Sequence, residues 1–307
     1  MGTPTHWIEF NLFVLLAVAL DLGVFHRAPH KVRAREAVIW SLVWVGVSVL
    51  FGIGVLHWYG GQRALEFFTG YIIEKSLSVD NLFIFLIIFQ TFRVEEQFQQ
   101  RVLGWGILGA LVMRGIMIAA GAALLASFSW ITYVFGGFLL YAGLHMLLAR
   151  EKEAHPEENP VFRFAQKHLR VAREYHGKKF FVRGEKGWLA TPLFLVLLVV
   201  EITDVTFALD SIPAVFGITR DTFIVYTSNV FAILGLRALY FLLASVLGYF
   251  RYLSAGLSVV LFFIGAKMIA EPWLHIPVYL SLLIVGAILG VALAASLLHK
   301  PKPRASE

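Results

Sequence analysis

Along the 307 residues, apolar positions gather into nine runs with little polar chain between them, near 7–26, 37–57, 66–92, 101–126, 129–149, 188–217, 222–249, 252–270 and 276–298. About 20 mostly apolar residues is the length an α-helix needs to cross the hydrocarbon of a bilayer. The pattern predicts an all-α polytopic membrane helix bundle of about nine transmembrane helices, a single integral membrane domain over 1–307. The third and sixth runs are longer than one crossing requires, so tilt, a break or a helical extension is expected there. The first run carries Glu9 and Asp21 and has no small-residue cleavage pattern after it, which reads as a retained helix rather than a signal peptide.

Composition and charge sharpen this picture. The hydrophobic fraction is 59%, against roughly 45–50% for a soluble domain. There is no cysteine, which excludes disulfides, thiolate metal sites and cysteine chemistry. Lys and Arg stay preferentially on the cytoplasmic side of short loops. With the N-terminus outside, twenty of them fall in inside segments, and only Arg63 and Arg220 fall outside. The expected orientation is N-out and C-in, and the basic excess is a topology signal rather than a nucleic-acid footprint. The lipid bilayer is the expected partner. All eight tryptophans are read as lying near span ends, where an amphipathic ring suits the headgroup region. The longest soluble segment, 150–187, is read as a cytoplasmic linker. Within it Val161, Phe164, Ala165, His168, Leu169 and Ala172 form a helical stripe suited to a membrane surface.

An internal repeat carries the chemistry. Glu74-Lys75-Ser76-Leu77-Ser78-Val79-Asp80-Asn81 in the third run matches Asp204-Val205-Thr206-Phe207-Ala208-Leu209-Asp210-Ser211 in the sixth, in chemical type, at seven of eight positions. Further on, Arg114 corresponds to Arg237, and Gly143-Leu144-His145-Met146 to Gly265-Ala266-Lys267-Met268, with offsets of 130, 123 and 122 residues. Each unit, 66–149 and 188–270, spans three helices. An odd number inverts the second unit relative to the first, the architecture of many secondary transporters, whose sites lie near the midplane on interrupted helices. Pro213 is the expected point of interruption, with a simple kink as the alternative.

Six carboxylates sit well inside the runs, away from their ends: Asp21, Glu74, Asp80, Glu201, Asp204 and Asp210. At about 2.5–3.5 kcal/mol each, their unrelieved insertion would cost roughly 15–21 kcal/mol, so they must be paired, protonated, hydrated or bound to cations. The four intramembrane bases, Lys75, Arg114, Arg237 and Lys267, leave two negative charges over. One divalent cation would match that deficit, although buried acids can also take up protons. At 100° per residue Glu74, Ser78 and Asn81 share one helical face, and Glu201, Asp204 and Ala208 another, while Asp80 and Asp210 point elsewhere. The available ligands are oxygens: carboxylates, the Asn81 amide and the hydroxyls of Ser76, Ser78, Thr203, Thr206 and Ser211. Such donors suit Mg²⁺, Ca²⁺ or Mn²⁺ better than copper or zinc. His145, the one histidine deep in a run, is assigned a packing or supporting role, since a lone imidazole makes no metal site.

These stretches, with Glu201-Ile202-Thr203-Asp204, Asp210-Ser211-Ile212-Pro213-Ala214 and Ser228-Asn229-Val230-Phe231-Ala232-Ile233-Leu234-Gly235-Leu236-Arg237, resemble the signatures of the TerC/Alx family within the larger LysE-like transporter group. Ala19-Leu20-Asp21-Leu22 and Phe180-Phe181-Val182-Arg183 add to the resemblance. It implies a manganese exporter, with links to tellurite resistance, alkaline-pH response and metalation of exported proteins. It also implies Glu74, Asp80, Asn81, Glu201, Asp204 and Asp210 as metal-pathway residues, supported by Asp21, Lys75, Ser76, Ser78, Thr206, Ser211, Arg114, Arg237 and Lys267. His145 departs from the Gly-x-Lys-Met pattern expected there. The expected function is Mn²⁺ export across a bacterial inner membrane by alternating access, with proton exchange as the candidate coupling, no prosthetic group and no enzymatic activity; a homo-oligomer is left open. The alternatives are export of Ca²⁺ or a cationic amino acid, and an intramembrane hydrolase using paired carboxylates. The hydrolase is disfavoured because neither His-Glu-x-x-His nor Gly-x-Ser-x-Gly occurs.

Overall fold

The computed structural model describes residues 2–25, 34–128, 130–148, 171–172, 174–184, 187–245, 252–274 and 276–298. Among these residues each apolar run contains helix: α1 (Pro4–Phe25), α2 (Ala34–Tyr59), α3 (Gly61–Thr91), α4 (Glu96–Ser127), α5 (Ile131–Leu148), α6 (Pro192–Phe216), α7 (Thr222–Ile233), α8 (Leu236–Ser245), α9 (Leu253–Ala270) and α10 (Val278–Leu298). The protein is an all-α membrane bundle. Leu12, Leu16, Leu50, Ile116, Leu148, Leu283 and Val291 lie on outer faces that are exposed, which in water would be an aggregation hazard and in lipid is the ordinary surface. Among the described residues five helices, α2, α4, α5, α6 and α10, are long and apolar enough to cross a membrane, and α7 with α8 make a sixth if that bent pair is one span.

The third run resolves as an extension rather than a break. Its helix α3 is a continuous 31-residue helix and the hub of the bundle, in contact with α2, α6, α7, α8, α9 and α10. It carries Arg63, Glu66, Glu74, Lys75 and Asp80, more charge than a lipid-facing helix tolerates. Its central position removes that cost from the bilayer.

The interruption expected at Pro213 lies elsewhere. Pro213 sits inside α6, near its end, and the helix continues to Phe216. A proline so close to the C-terminus forfeits a single hydrogen bond to the preceding turn, which is too little to end the helix. The break falls in the next run, between α7 and α8, which meet at 41°. There Leu234 has left the helical conformation and Gly235 has φ +80°, the left-handed geometry with which helices commonly end. A side chain at Gly235 would also run into Trp44, 2.7 Å from the position a Cβ would take. Trp44 is itself buried in the core.

Among the described residues one short hairpin interrupts the helical pattern. Phe181–Gly184 (β1) pairs antiparallel with Gly187–Ala190 (β2), Val182 opposite Leu189. It leads directly into α6, tied by Thr191 N–H to the Phe180 carbonyl at 2.9 Å and Thr191 Oγ1 to the Lys179 carbonyl at 2.7 Å. This hairpin occupies the Phe180–Arg183 motif and the start of the sixth run, where helix was expected. The amphipathic stripe expected over 161–172 lies outside the described residues apart from Val171 and Ala172.

The tightest helix pair is α5 with α9. A Cβ on Gly143 would lie 2.7 Å from the Ser258 carbonyl oxygen and 3.0 Å from the Phe262 nitrogen. A Cβ on Gly265 would lie 2.7 Å from the Gly136 carbonyl oxygen and 2.9 Å from the Leu140 nitrogen. The two helices are antiparallel, and a shift of 122 residues converts one set of contacts into the other.

Candidate functional site

A buried charged cluster lies at the centre of the bundle, and α3, α4, α6 and α7 each contribute to it. Arg114 of α4, 2% exposed, is its hub. Its Nε and Nη2 grip Asp204 of α6 as a fork, at 3.2 Å to Oδ2 and 2.9 Å to Oδ1. Its Nη1 donates to Glu74 of α3, whose side chain is fully buried, and lies 3.4 Å from Asn229 Oδ1 of α7. Arginine suits this place because its planar fork holds a carboxylate through two parallel bonds and it stays charged in any surroundings.

The cluster is incompletely satisfied. Glu74 Oε2, Ser78 Oγ and Asn229 Nδ2 are buried without a hydrogen-bond partner. Ser78 stands one helical turn from Glu74 on the same buried face, which Asn81 continues. Glu201 lies one turn before Asp204 on α6 and is half-buried. Its carboxylate rests directly on Gly109 of α4, in space that a Cβ there would occupy. With one guanidinium against Glu74, Asp204 and Glu201, the cluster carries an excess of formal negative charge.

Two further charged residues brace the broken span. Lys75 Nζ donates to the carbonyls of Ala232 and Leu234 at 3.1 and 3.4 Å, the carbonyls left over where α7 ends and where a cation is favoured by the helix dipole. Arg237 of α8 donates through Nη2 to Asp21 of α1, at 2.6 Å to its carbonyl and 2.8 Å to its carboxylate Oδ2. Both sets of contacts fix α7 and α8 against the rest of the bundle.

A cavity of about 570 Å³ opens at the end of the bundle formed by the start of α3, the end of α6 and the end of α9. Glu66 reaches into its wall, 3% exposed, and accepts from Arg63 and Thr219, each at 2.6 Å. Lys267 and Glu271 line the opposite side, and Arg220 pairs with Glu271 at 3.3 Å. Asp221, 3.8 Å from Arg63, caps α7 by accepting from the Phe223 and Ile224 N–H groups. Glu66 precedes Glu74 by eight residues of α3, which at 1.5 Å rise per residue is about 12 Å along the axis.

The residues expected to form one metal site are thus distributed. Glu74, Asp204, Glu201 and Asn81 line the central region, with Glu74 and Asp204 engaged by Arg114. Asp210 is half-buried, two turns further along α6, within electrostatic range of His145. The side chain of Asp80 lies outside the described residues. Among those described, no three carboxylate or imidazole groups converge closely enough to hold a metal ion. Of the supporting set, Ser76 and Thr206 hydrogen-bond back to the carbonyls of Ile72 and Ile202 in their own helices at 2.7 and 3.0 Å, whereas Ser211 Oγ is buried without a partner. His145 is exposed in the last turn of α5, against Tyr141, so its place deep in a span is corrected. Sequence reasoning passed over Asn229, Gly109 and Glu66. Asn229 lay within a quoted motif, and Glu66 at the start of a run was available as a seventh acid.

The Integral membrane protein TerC family model matches residues 59–304. The chain is 49% identical over 304 residues to "Uncharacterized membrane protein STKORF319" of Myxococcus xanthus, covering 98% of this chain and 95% of that one. It is 48% identical over 299 residues to "Putative membrane-bound redox modulator Alx" of Escherichia coli K12, covering 94% and 93%. An "Uncharacterized membrane protein" of Rickettsia bellii is 38% identical over 294 residues, covering 96% and 97%. No solved structure matches. The chain belongs to the TerC family of integral membrane proteins.

Proposed function

We propose that this TerC-family protein exports a divalent cation, Mn²⁺ as the leading substrate, across a bacterial inner membrane, with the N-terminus outside and the C-terminus in the cytoplasm. One observation carries the reading: acids at matching positions of the two sequence repeats, Glu74 and Asp204, meet at one buried centre, beside the unpartnered oxygens Glu74 Oε2 and Ser78 Oγ. A structural ion pair would be expected to satisfy its own lone pairs. Buried hard oxygens left over beside an excess of negative charge suit a hard, oxygen-seeking cation.

The symmetric glycine contacts between α5 and α9 support the inverted repeat, with units 66–149 and 188–270, and a pseudo-two-fold axis between those helices. Rocking of one unit against the other about this axis would expose the centre first to one side and then to the other. The cavity around Glu66 is the mouth on the outer side in this orientation, and Asp80 and Asp210 are further stations for the cation. The protein acts as a carrier and not as an enzyme.

Relatives bear a name that speaks of redox modulation. This chain has no cysteine, so thiol–disulfide exchange by its own side chains is not a route to such an effect; a changed metal supply is. The deciding experiment is ⁵⁴Mn²⁺ uptake into inside-out vesicles or proteoliposomes containing the purified protein, with Mg²⁺ and lysine as competitors. Uptake above protein-free vesicles that Mg²⁺ and lysine inhibit only weakly is expected. Uptake at the protein-free level would sink the proposal, and inhibition by lysine but not by Mg²⁺ would replace the ion with an amino acid.

A further inference from the structure

We infer that Arg114 is a built-in counter-cation, occupying the carboxylates of the empty site and exchanging places with the divalent cation on each transport cycle. The inference rests on the cation-export reading and assigns to that site the device that lets it be empty. The guanidinium touches the two acids from matching repeat positions at once, Glu74 on α3 and Asp204 on α6. A dication there would claim the same carboxylates, so the two positive groups compete for one place.

The need for such a group follows from burial. Glu74 is completely buried and Asp204 nearly so, and two ionised carboxylates left alone in the bundle are among the costliest things a membrane protein can hold. A carrier that released its cargo without replacing the charge would be held back from reorienting, or would take protons. Arginine keeps its charge in any surroundings, so it supplies the replacement from within the protein.

Asn229 gives the displaced guanidinium somewhere to stay. Its Oδ1 is a neutral acceptor 3.4 Å from Arg114 Nη1, and its Nδ2 is buried without a partner. Moving away from Asp204 and closer to Asn229 keeps one hydrogen bond on Arg114 while both carboxylate groups turn to the cation. The acids are then shared in time between an internal and an external cation, and affinity for Mn²⁺ is lower than the bare carboxylates would give.

The test measures Mn²⁺ binding and Mn²⁺ flux together, on the full-length protein in detergent and in proteoliposomes at pH 8. Arg114→Gln is expected to bind Mn²⁺ at least tenfold more tightly than wild type. Its thermal unfolding temperature should be lower than wild type without Mn²⁺ and recover on adding it, while transport slows at least tenfold because the empty carrier no longer returns. Should Arg114→Gln fail to fold, Arg114→Lys keeps a charge but loses the fork, and is expected to show intermediate tightening. If neither folded variant binds Mn²⁺ more tightly than wild type while wild type does bind it, Arg114 is a fixed positioning residue and the exchange is rejected. If wild type and variants alike bind no Mn²⁺, the export reading itself fails with it.

Discussion

Gly109 separates the function of the central cluster from the stability of the bundle. In Gly109→Ala the new methyl group enters the space of the Glu201 carboxylate. That carboxylate is the free end of a flexible, half-buried side chain, so it is able to swing aside. The cost is a displaced rotamer, about 0.5–1.5 kcal/mol. Against it stands the gain of replacing a mid-helix glycine by alanine, about 0.5–1 kcal/mol. The two nearly cancel, and the folded protein is expected to survive with its stability changed by under about 1 kcal/mol. What changes is the position of Glu201 relative to Asp204 and Arg114.

Gly143→Ala supplies the contrast. Its methyl would meet the Ser258 carbonyl oxygen at 2.7 Å and the Phe262 nitrogen at 3.0 Å, backbone atoms of a neighbouring helix that cannot step aside. Overpacking of this kind costs typically about 1–3 kcal/mol. Thermal unfolding of the two purified variants, beside ⁵⁴Mn²⁺ flux normalised to folded protein, separates them. Gly109→Ala should unfold close to wild type and transport at least tenfold more slowly, whereas Gly143→Ala should unfold at a clearly lower temperature. A Gly109→Ala protein that transports at the wild-type rate would show that the location of Glu201 is immaterial, and would remove that residue from the site.

Two further outcomes are expected. Asp80→Asn and Asp210→Asn, which keep size and lose charge, should each abolish transport in the vesicle assay with membrane expression largely retained, while Glu95→Gln, at an exposed turn, should be nearly silent; normal flux through Asp80→Asn would show that the repeat is not shared by the site. For orientation, single cysteines introduced as Gln62→Cys and Lys178→Cys, both exposed positions, should react with a membrane-impermeant thiol reagent in intact spheroplasts only at position 62, and the reverse pattern would invert the topology.

The helices were legible in the sequence because the bilayer imposes a single demand, about 20 apolar residues per crossing, and each of the nine runs contains helix. The turn between α7 and α8 has a signal in the sequence, but one that reads two ways. Gly235 follows Leu234 inside an apolar stretch, and a glycine there can be either a tolerated helix residue or a helix end. Pro213 drew the prediction instead, since proline disrupts a helix interior strongly, but its effect depends on how many residues follow it in the helix. Only three do. The hairpin of Phe181–Gly184 with Gly187–Ala190 was hidden for another reason: Trp188, Leu189 and Ala190 continue an apolar run without a change of period that would mark strand.

The central cluster shows where pattern alone stops. Periodicity correctly put Glu74, Ser78 and Asn81 on one face of α3, and all three are buried, because a helix fixes its own faces. Which base meets which acid is a matter of how helices pack. Arg114 lies 40 residues from Glu74 and 90 from Asp204, and nothing local to any of these positions selects that partnership over Arg237 or Lys75. The equivalence of Arg114 and Arg237 in the repeat suggested equal roles, yet Arg237 holds Asp21 on α1, a helix that precedes both repeat units and has no counterpart in either. The added helix breaks the symmetry of the two arginines. One is buried against α1, where it anchors α8, and the other remains at the centre between Glu74 and Asp204, which is the condition for its carboxylate partners to be shared with a passing ion.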